Sequence, residues 1–405
     1  MKTIADVDLQ DQRVLVRVDF NVPLDEHGNI TDDARIAAVL PTLSYALSQQ
    51  AKLIVASHLG RPKGKENPAL SLSPVAAQLS HLLQQEVTMA PDCIGPEVSA
   101  LVSAMKSGEV VLLENLRFHP EEQENDAAFS EELSSLCDIY VNDAFAVSHR
   151  SHASVEGVTR YAPISVAGFL LRKELQYLDK AIANPQRPLI VIIGGSKVSS
   201  KLGALANMIA TVDAFIIGGA MANTFLRSEG VDVGKSKVEE DLLESARSII
   251  HQAGEKGVKV YLPVDAVVAS RFDSDAENRT VSIGEIPADW TVLDIGPETI
   301  QLYTEALEEA RTIVWNGPMG VFEMPPYAEG TMAIARCVAR SKALSIAGGG
   351  DTDAALHQFG ETDNISYLST GGGAFLSLLE GNRLPAVDAL TRGAESIRSE
   401  SDYAP

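Results

Sequence analysis

Cysteine is scarce in this chain of 405 residues: Cys93, Cys137 and Cys337 are the whole set, and no two of them form a CxxC pair. A scattered, odd number of cysteines predicts neither a disulfide framework nor a zinc site, and it is typical of a reducing compartment. The first residues lack the apolar run of a signal peptide, and no apolar stretch is long enough to span a bilayer. We therefore expect a cytoplasmic protein with no membrane partner.

Positive charge is also in short supply, with 33 lysines and arginines against 55 aspartates and glutamates and a formal net charge of −22. A chain this acidic does not attract polyanions as a whole, so we expect no nucleic-acid partner. If such a protein binds phosphate, it must gather its few cations locally. The positions of those cations are therefore informative.

Several familiar nucleotide-binding and catalytic motifs are missing. There is no Walker A sequence, and no GxGxxG is followed by an acidic residue about twenty positions later, which argues against an NAD-dependent dehydrogenase. Protein-kinase HRD and DFG signatures are absent, and no serine, cysteine or histidine stands in an obvious catalytic triad.

The sequence does contain a regular alternation of short apolar runs and segments of helical period. This alternation predicts an α/β fold with two doubly wound (Rossmann-like) parallel-sheet domains of similar size, joined by a hinge helix at 171–183. The predicted strands are Val14–Asp19, Leu53–Ser57, Val110–Leu113, Ile139–Asn142 and Ile164–Phe169 in the first half, and Leu189–Ile193, Ala214–Ile217, Val258–Leu262, Thr312–Trp315, Leu344–Ala347 and Ile365–Leu368 in the second.

The stretch Pro188–Leu202 joins a β-branched run to Gly194-Gly195 and then to a segment rich in serine and lysine. A strand, a glycine turn and a helix N-terminus together form an anion site, because unpaired N–H groups point at the ligand. We expect Lys197 and Lys201 to lie on one face of that helix and to add charge. Taken alone, this glycine turn has an alternative interpretation as a tight βα connection with no ligand.

Similar turns follow the other predicted strands of the second half: GGAMAN, PVDA, NGPMGVFE, GGGDT and STGGGA. In open α/β sheets ligands bind beyond the carboxyl ends of the strands, so these turns predict one extended binding surface. The first half places different chemistry at its strand ends, and arginine forks there suit phosphate and carboxylate oxygens. The residues are Asp19-Phe20-Asn21, His58-Leu59-Gly60-Arg61, Arg117 and Arg150, with Arg35 opening the helix after the first strand.

Two further patterns carry less weight. His149 and His152 have a spacing that suits a metal, but no third ligand nearby supports one. The run Glu121-Glu122-Gln123-Glu124 is most simply a solvated acidic face.

Together these residues resemble one family, the phosphoglycerate kinases. The matching motifs run in the family's order over nearly the whole chain: VRVDFNVPL, ITDDARI, SHLGRPKG, LLENLRF, YVNDAF, GGSKVSSK, WNGPMGVFE, AGGGDT and STGGGA. The resemblance implies a monomeric two-lobed enzyme that closes about a hinge. Residues 1–170 would bind 3-phosphoglycerate and residues 171–389 would bind ATP or ADP with Mg²⁺, while a tail at 390–405 would pack back on the first lobe.

The resemblance also implies particular site residues. Arg35 and Lys197 would contact the transferred group, with main-chain N–H groups near Gly372 and Gly373. Glu323 would hold the ribose, Asp351 the magnesium and Thr352 a phosphate. The implied phosphoglycerate site is Asp19, Phe20, Asn21, Arg35, His58, Leu59, Gly60, Arg61, Arg117 and Arg150, and the implied nucleotide site is Lys197, Lys201, Asn316, Glu323, Gly349, Gly350, Asp351 and Thr352.

The expected reaction moves a phosphoryl group between the carboxylate of 3-phosphoglycerate and ADP. A carboxylate nucleophile is already ionised at neutral pH, so no general base is needed. A non-enzymatic alternative, a two-lobed protein that only binds a phosphorylated ligand, explains a cleft but not two separate anion sites and a magnesium carboxylate.

Overall fold

The computed structural model describes residues 1–392, which form two compact units. The first unit comprises Met1–Leu175 and a segment that begins at Arg383, and the second comprises Gln176–Asn382. The division between them falls inside a helix, five residues after the predicted boundary at 170/171. Most of the predicted tail, residues 393–405, lies outside the described part of the chain.

The first unit is built on a six-stranded parallel sheet with strand order β3-β4-β2-β1-β5-β6. Its elements are β1 (Arg13–Arg17), α1 (Ala34–Ser48), β2 (Lys52–Ala56), α2 (Ser73–Leu83), β3 (Val87–Met89), α3 (Pro96–Ser103), β4 (Val110–Leu112), α4 (Pro120–Glu124), α5 (Ala127–Ser135), β5 (Ile139–Asn142), β6 (Ile164–Ala167) and α6 (Phe169–Leu178). Residues 385–392 are also helical.

Apolar side chains bury both faces of this sheet, as a parallel sheet covered by helices requires. Val14 and Val16 of β1 belong to the same core cluster as Ile36, Val39 and Leu43 of α1. The strands run in register, so that Val14 pairs with Leu53 on one side and Ile139 on the other. All carboxyl ends therefore meet at one edge of the sheet.

The second unit repeats this design with a six-stranded parallel sheet of order β15-β14-β13-β7-β8-β9 and adds a three-stranded antiparallel sheet of order β11-β10-β12. Its elements are β7 (Leu189–Ile193), α7 (Leu202–Met208), β8 (Ala214–Ile217), α8 (Gly219–Ser228), α9 (Leu243–Glu255), β9 (Lys259–Tyr261), β10 (Asp265–Ala269), β11 (Asn278–Ser282), β12 (Thr291–Ile295), α10 (Pro297–Glu308), β13 (Thr312–Asn316), α11 (Glu329–Arg340), β14 (Leu344–Gly348), α12 (Gly350–Gln358), β15 (Tyr367–Ser369) and α13 (Gly372–Leu379).

The predicted fold class is confirmed, since every predicted strand overlaps an observed one. Four strands were missed: β3 is only three residues long, and β10, β11 and β12 form a small antiparallel sheet outside the βαβ pattern. One helix prediction was wrong. The segment after Gly195 forms turns, and α7 begins only at Leu202, so Lys197 and Lys201 do not share a helix face.

Candidate active site

Side chains beyond the carboxyl ends of β1, β2, β4 and β5 meet at one edge of the first unit, and we call this group the arginine cluster. It contains the predicted residues Asp19, Asn21, Arg35, His58, Arg61, Arg117 and Arg150. At its centre the Asp19 carboxylate pairs with the Arg35 guanidinium, and Asp19 Oδ1 lies 3.7 Å from Nδ1 of His58. The Arg35 side chain is 39% exposed, which leaves part of the guanidinium accessible to a ligand.

Main-chain hydrogen bonds tie the loops of this cluster together. The Gly60 N–H donates to Asn21 Oδ1 at 2.7 Å, and Arg117 donates to the Gly60 carbonyl oxygen at 3.0 Å. Phe20 and Leu59 are buried and contribute through their N–H groups, which donate to Ser57 and Asn115. Asp19, Asn21, His58, Gly60 and Arg117 are therefore held in fixed positions by their neighbours.

Burial and mutual repulsion shift the charges of the cluster. Burial, followed by the charges of Arg17, Arg117, Arg35 and Arg150, lowers the pKa of His58 well below its usual value, so the imidazole is neutral at physiological pH. Burial also lowers the pKa of Arg117 to about 10, which still leaves it cationic. Arg150 thus acts on the same site through its charge, while Arg61 is exposed beside Gly60. The cluster presents arginine cations and one neutral imidazole.

In the second unit the turns after β7, β8, β13, β14 and β15 approach one another closely, and we call them the glycine edge. The Gly195 N–H donates to the Pro318 carbonyl oxygen at 2.8 Å, and the Gly219 N–H donates to that of Met319 at 2.9 Å. A Cβ built on Gly194 would lie 2.1 Å from the Pro318 oxygen, so only glycine fits this contact. A Cβ on Gly372 would come within 3.0 Å of the Gly349 Cα, which places the N-termini of α12 and α13 side by side.

Helix N-termini leave N–H groups without partners inside the helix, and their dipoles favour anions. At the glycine edge two such termini, beginning at Gly350 and Gly372, lie next to each other. Gly350 and Gly373 are exposed, so the main chain there is open to a ligand. This arrangement suits a phosphate chain.

Lys197 is exposed, whereas Lys201 is turned inward at the glycine edge. The Lys201 Nζ donates to the carbonyl oxygens of Gly194 at 2.6 Å and Asn316 at 3.0 Å. Burial lowers the pKa of Lys201 to about 8, against the opposing charge of Asp351. The two lysines therefore contribute differently: Lys197 is an exposed cation, and Lys201 is a half-buried group that ties two loops together.

Thr352 and Asn316, two residues of the predicted nucleotide site, form hydrogen bonds with the main chain of neighbouring loops. Thr352 is fully buried, and its hydroxyl accepts from the Gly317 N–H at 2.7 Å and donates to the Gly348 carbonyl oxygen at 3.3 Å. Asn316 donates from Nδ2 to that same carbonyl oxygen at 2.6 Å. The Thr352 hydroxyl therefore joins the loop after β13 to the end of β14, and its expected contact with a phosphate stays a prediction.

A cavity of about 430 Å³ opens at the glycine edge and is lined by the exposed Glu323 and Asp351. Its other walls include residues that sequence reasoning missed, namely Gly219, Lys237, Phe272 and Asp294. The GGAMAN turn was a signal for Gly219. No local pattern marked Asp294, which is buried and accepts from the Gly330 N–H at 2.7 Å, and whose pKa burial raises to about 7.

The structure also corrects the interpretation of the acidic run on α4. Glu122 is fully buried rather than solvated, and its Oε2 lies 3.2 Å from Nδ1 of His152. Of the pair His149 and His152, it is His152 that makes this internal contact. Among the described residues, Asp92, Cys93 and His119 are the one group of three with ligand atoms close enough for a metal, far from this pair in sequence.

Two parallel-sheet units, one with an arginine cluster and the other with a glycine edge that suits a phosphate chain, are typical of a two-domain α/β phosphotransferase. A sequence model described as phosphoglycerate kinase matches residues 4–382. The chain belongs to the phosphoglycerate kinase family.

The similar proteins agree over nearly their full lengths. The phosphoglycerate kinase of Desulfotalea psychrophila is 59% identical over 390 residues, covering 96% of this chain and all of that protein. The structure of phosphoglycerate kinase from Coxiella burnetii matches with a TM-score of 0.88 at 43% identity, over 96% of this chain and 98% of that one. The enzyme from Pyrococcus horikoshii matches with a TM-score of 0.86 at 35% identity, over 98% and 100%. Within residues 1–392, no helix has the length and apolar character needed to cross a membrane.

Proposed function

We propose that this protein catalyses reversible phosphoryl transfer between 1,3-bisphosphoglycerate and ADP, giving 3-phosphoglycerate and ATP. The observation that carries the proposal is the presence of two anion-directed sites of different chemistry, one in each unit of a chain with a net charge of −22. One ligand needs guanidinium forks for its phosphate and carboxylate, and the other needs main-chain N–H groups for a phosphate chain.

The arginine cluster is the proposed phosphoglycerate site. Arg61, Arg117 and Arg150 neutralise the ligand's phosphate and carboxylate, while His58 and the loops at Asp19–Asn21 and His58–Arg61 fix its position. Arg35 is proposed to contact the phosphoryl group during its transfer, because its partly exposed guanidinium is oriented by Asp19. A donor held in advance where charge develops stabilises the transition state without reorganisation.

The glycine edge is the proposed nucleotide site. Lys197 and the N–H groups at Gly372 and Gly373 are proposed to contact the transferred phosphoryl group, while Gly349, Gly350, Lys201, Asn316 and Thr352 shape the phosphate site. Glu323 lies in the cavity wall, where its carboxylate suits ribose hydroxyls.

A magnesium ion fits the carboxylate of Asp351. This residue is exposed and lines the cavity, and Mg²⁺ in nucleotide sites is held by one or two carboxylates together with phosphate oxygens and water. When bound, the ion would neutralise charge on the nucleotide phosphates. The carboxylate of the acceptor needs no base, so the chain's own residues align two anions and offset their charge.

A coupled assay tests the proposal directly. We expect ADP to form when the full chain receives 3-phosphoglycerate and MgATP, and not when either is omitted. Chelation of magnesium should stop the reaction. ADP formation without 3-phosphoglycerate, or ligand binding without turnover, would instead favour an ATPase or a binding protein.

We also propose that the protein is a cytoplasmic monomer that acts on small molecules alone. Three free cysteines fit a reducing compartment, and the acidic chain does not favour nucleic acid. Light scattering after gel filtration should give a mass near 43.3 kDa, and a mass of twice that value would contradict the monomer.

A further inference from the structure

A fully buried carboxylate lies behind the arginine cluster, on a helix that the proposed chemistry does not use. Glu122 of α4 has no exposed surface, and its Oε1 accepts from the Ser154 hydroxyl at 2.7 Å. Burial opposes its ionisation, but the contact with His152 and the charge of Arg17 hold the pKa of Glu122 below its usual value. The structure therefore contains a buried anion with no ligand-binding role assigned to it.

Ser154 bridges Glu122 and Arg17, the last residue of β1, through hydrogen bonds. The Ser154 Oγ accepts from Arg17 Nε at 2.8 Å while its own proton is donated to Glu122. Both residues are buried, with Arg17 only 1% exposed. A buried guanidinium without a compensating carboxylate is strongly destabilising. The negative charge of Glu122 therefore stabilises Arg17 in its buried position.

The other end of Arg17 reaches the ligand site. One terminal nitrogen donates to the Val18 carbonyl oxygen, and the second lies 3.3 Å from Nδ1 of His58. A guanidinium has no acceptor, so Nδ1 must accept this hydrogen bond and the ring proton must be on Nε2. Asp19 Oδ1, at 3.7 Å from Nδ1, is too distant to take that place.

We propose that Glu122 and Ser154 are positioning residues of the phosphoglycerate site: through Arg17 they hold His58 as the Nε2–H tautomer, ready to donate to the bound anion. The inference rests on the proposed function of the arginine cluster. The contacts form one path, Glu122–Ser154–Arg17–His58, that joins α4 to the loop after β2. The charges of the arginines keep the His58 ring neutral but do not select which ring nitrogen carries the proton. The hydrogen bond from Arg17 to Nδ1 makes that selection.

Replacing Ser154 by alanine breaks the path without touching a ligand-binding side chain. We expect Ser154→Ala to raise the KM for 3-phosphoglycerate about ten-fold, since a buried donor loses its partner, and to leave kcat within about two-fold. Ser130→Ala is a matched control, because Ser130 is also fully buried in the first unit and its hydroxyl donates to the Asp126 carbonyl oxygen at 2.6 Å. The control should lose stability to a similar extent while keeping the wild-type KM.

The tautomer can be read directly from the ring nitrogens of the full chain by NMR with ¹⁵N-labelled histidine. His58→Gln identifies the signals of His58. We expect the Nε2–H form in the wild type and a growing Nδ1–H population in Ser154→Ala. The wild-type spectrum can overturn the inference even if Ser154→Ala fails to fold, because it must show the Nε2–H form.

Two results would overturn the inference: an Nδ1–H or charged His58 in the wild type, or a KM in Ser154→Ala no higher than in Ser130→Ala. The failure of the proposed function would look different. In that case the wild type would make no ADP from 3-phosphoglycerate and MgATP, while the His58 signals would still report the tautomer.

Discussion

At the scale of single residues, Arg35 is the side chain on which the proposed chemistry depends most. We expect Arg35→Ala to lower kcat by about two orders of magnitude or more, the scale for losing a donor to the transition state. Arg13→Ala is the matched control. Arg13 pairs with Asp138 at 2.6 Å with similar exposure, but it lies at the start of β1, at the opposite edge of the sheet.

The coupled assay, run beside a thermal melt, checks this prediction. Arg13 and Asp138 are both partly exposed, so Arg13→Ala should melt close to the wild type. Arg35→Ala leaves the buried Asp19 carboxylate without its cation, so this variant should melt at a lower temperature, and its turnover is measured well below that temperature. Near-normal turnover in Arg35→Ala, or an equal loss in Arg13→Ala, would remove Arg35 from its proposed role.

Lys201 gives a prediction about pH. Its pKa is lowered to about 8 by burial, and a bound phosphate favours the charged form and raises that pKa. Binding must then take up a proton above pH 8. The dissociation constant for MgADP should therefore be flat below about pH 8 and rise by up to about ten-fold per pH unit above it.

Isothermal titration between pH 7 and 9.5 measures this slope, and Lys201→Arg supplies the comparison. An arginine at this position stays charged throughout the range, so its affinity should depend much less on pH. The same slope in both proteins would assign the titration to another group.

The environments of individual side chains were the hardest features to predict from the sequence. Glu122 was expected on a solvated face because it lies in a run of acidic residues. Its partner Ser154 is 32 residues away, with α5 and β5 between them, so no local pattern in the sequence marks the contact. The place of the arginines at the strand ends follows from the predicted strands, because parallel strands bring their carboxyl ends to one edge whatever the details of the loops. Their contacts with a ligand stay predictions.

At the scale of elements, the start of α12 has little tolerance for a side chain. Gly349 has a φ of +111°, and a Cβ there would lie 2.8 Å from Nδ2 of Asn316, whose main-chain oxygen accepts from Lys201. We expect Gly349→Ala to weaken MgADP binding about ten-fold or more and to lower stability by about 1–3 kcal/mol.

Gly360, just past the other end of α12, provides the control. It also has a positive φ, +69°, but a Cβ there meets nothing within 4 Å. Gly360→Ala should lose some stability without changing nucleotide affinity in calorimetric titration. An equal effect of both variants on affinity would mean that backbone strain, and not the contact with Asn316, matters at Gly349.

The elements themselves were predictable where the apolar pattern was strong. Runs such as Leu189–Ile193 are fully buried, so their composition alone indicates a strand of a covered parallel sheet. The helix expected directly after Gly195 was not found, because the chain first forms turns that let Glu239 accept from the N–H groups of Val198 and Ser199. That contact spans about forty residues, beyond the reach of any local pattern.

At the scale of the whole molecule, the central claim is a division of labour: the first unit binds phosphoglycerate and the second binds the nucleotide. The residues proposed for each site lie in one unit: those of the arginine cluster follow β1, β2, β4 and β5 or open α1, and those of the glycine edge follow β7, β8, β13, β14 and β15. The two ligands should therefore act on separate parts of the chain.

Hydrogen–deuterium exchange on the full chain tests this claim most directly, with 3-phosphoglycerate alone and MgADP alone. The first ligand should slow exchange at residues 19–21, 58–61 and 116–118 and leave the glycine edge unchanged. The second should slow exchange at 194–201, 317–323 and 349–352 and leave the arginine cluster unchanged. Protection of the same segments by both ligands, or protection by 3-phosphoglycerate confined to the second unit, would contradict the account.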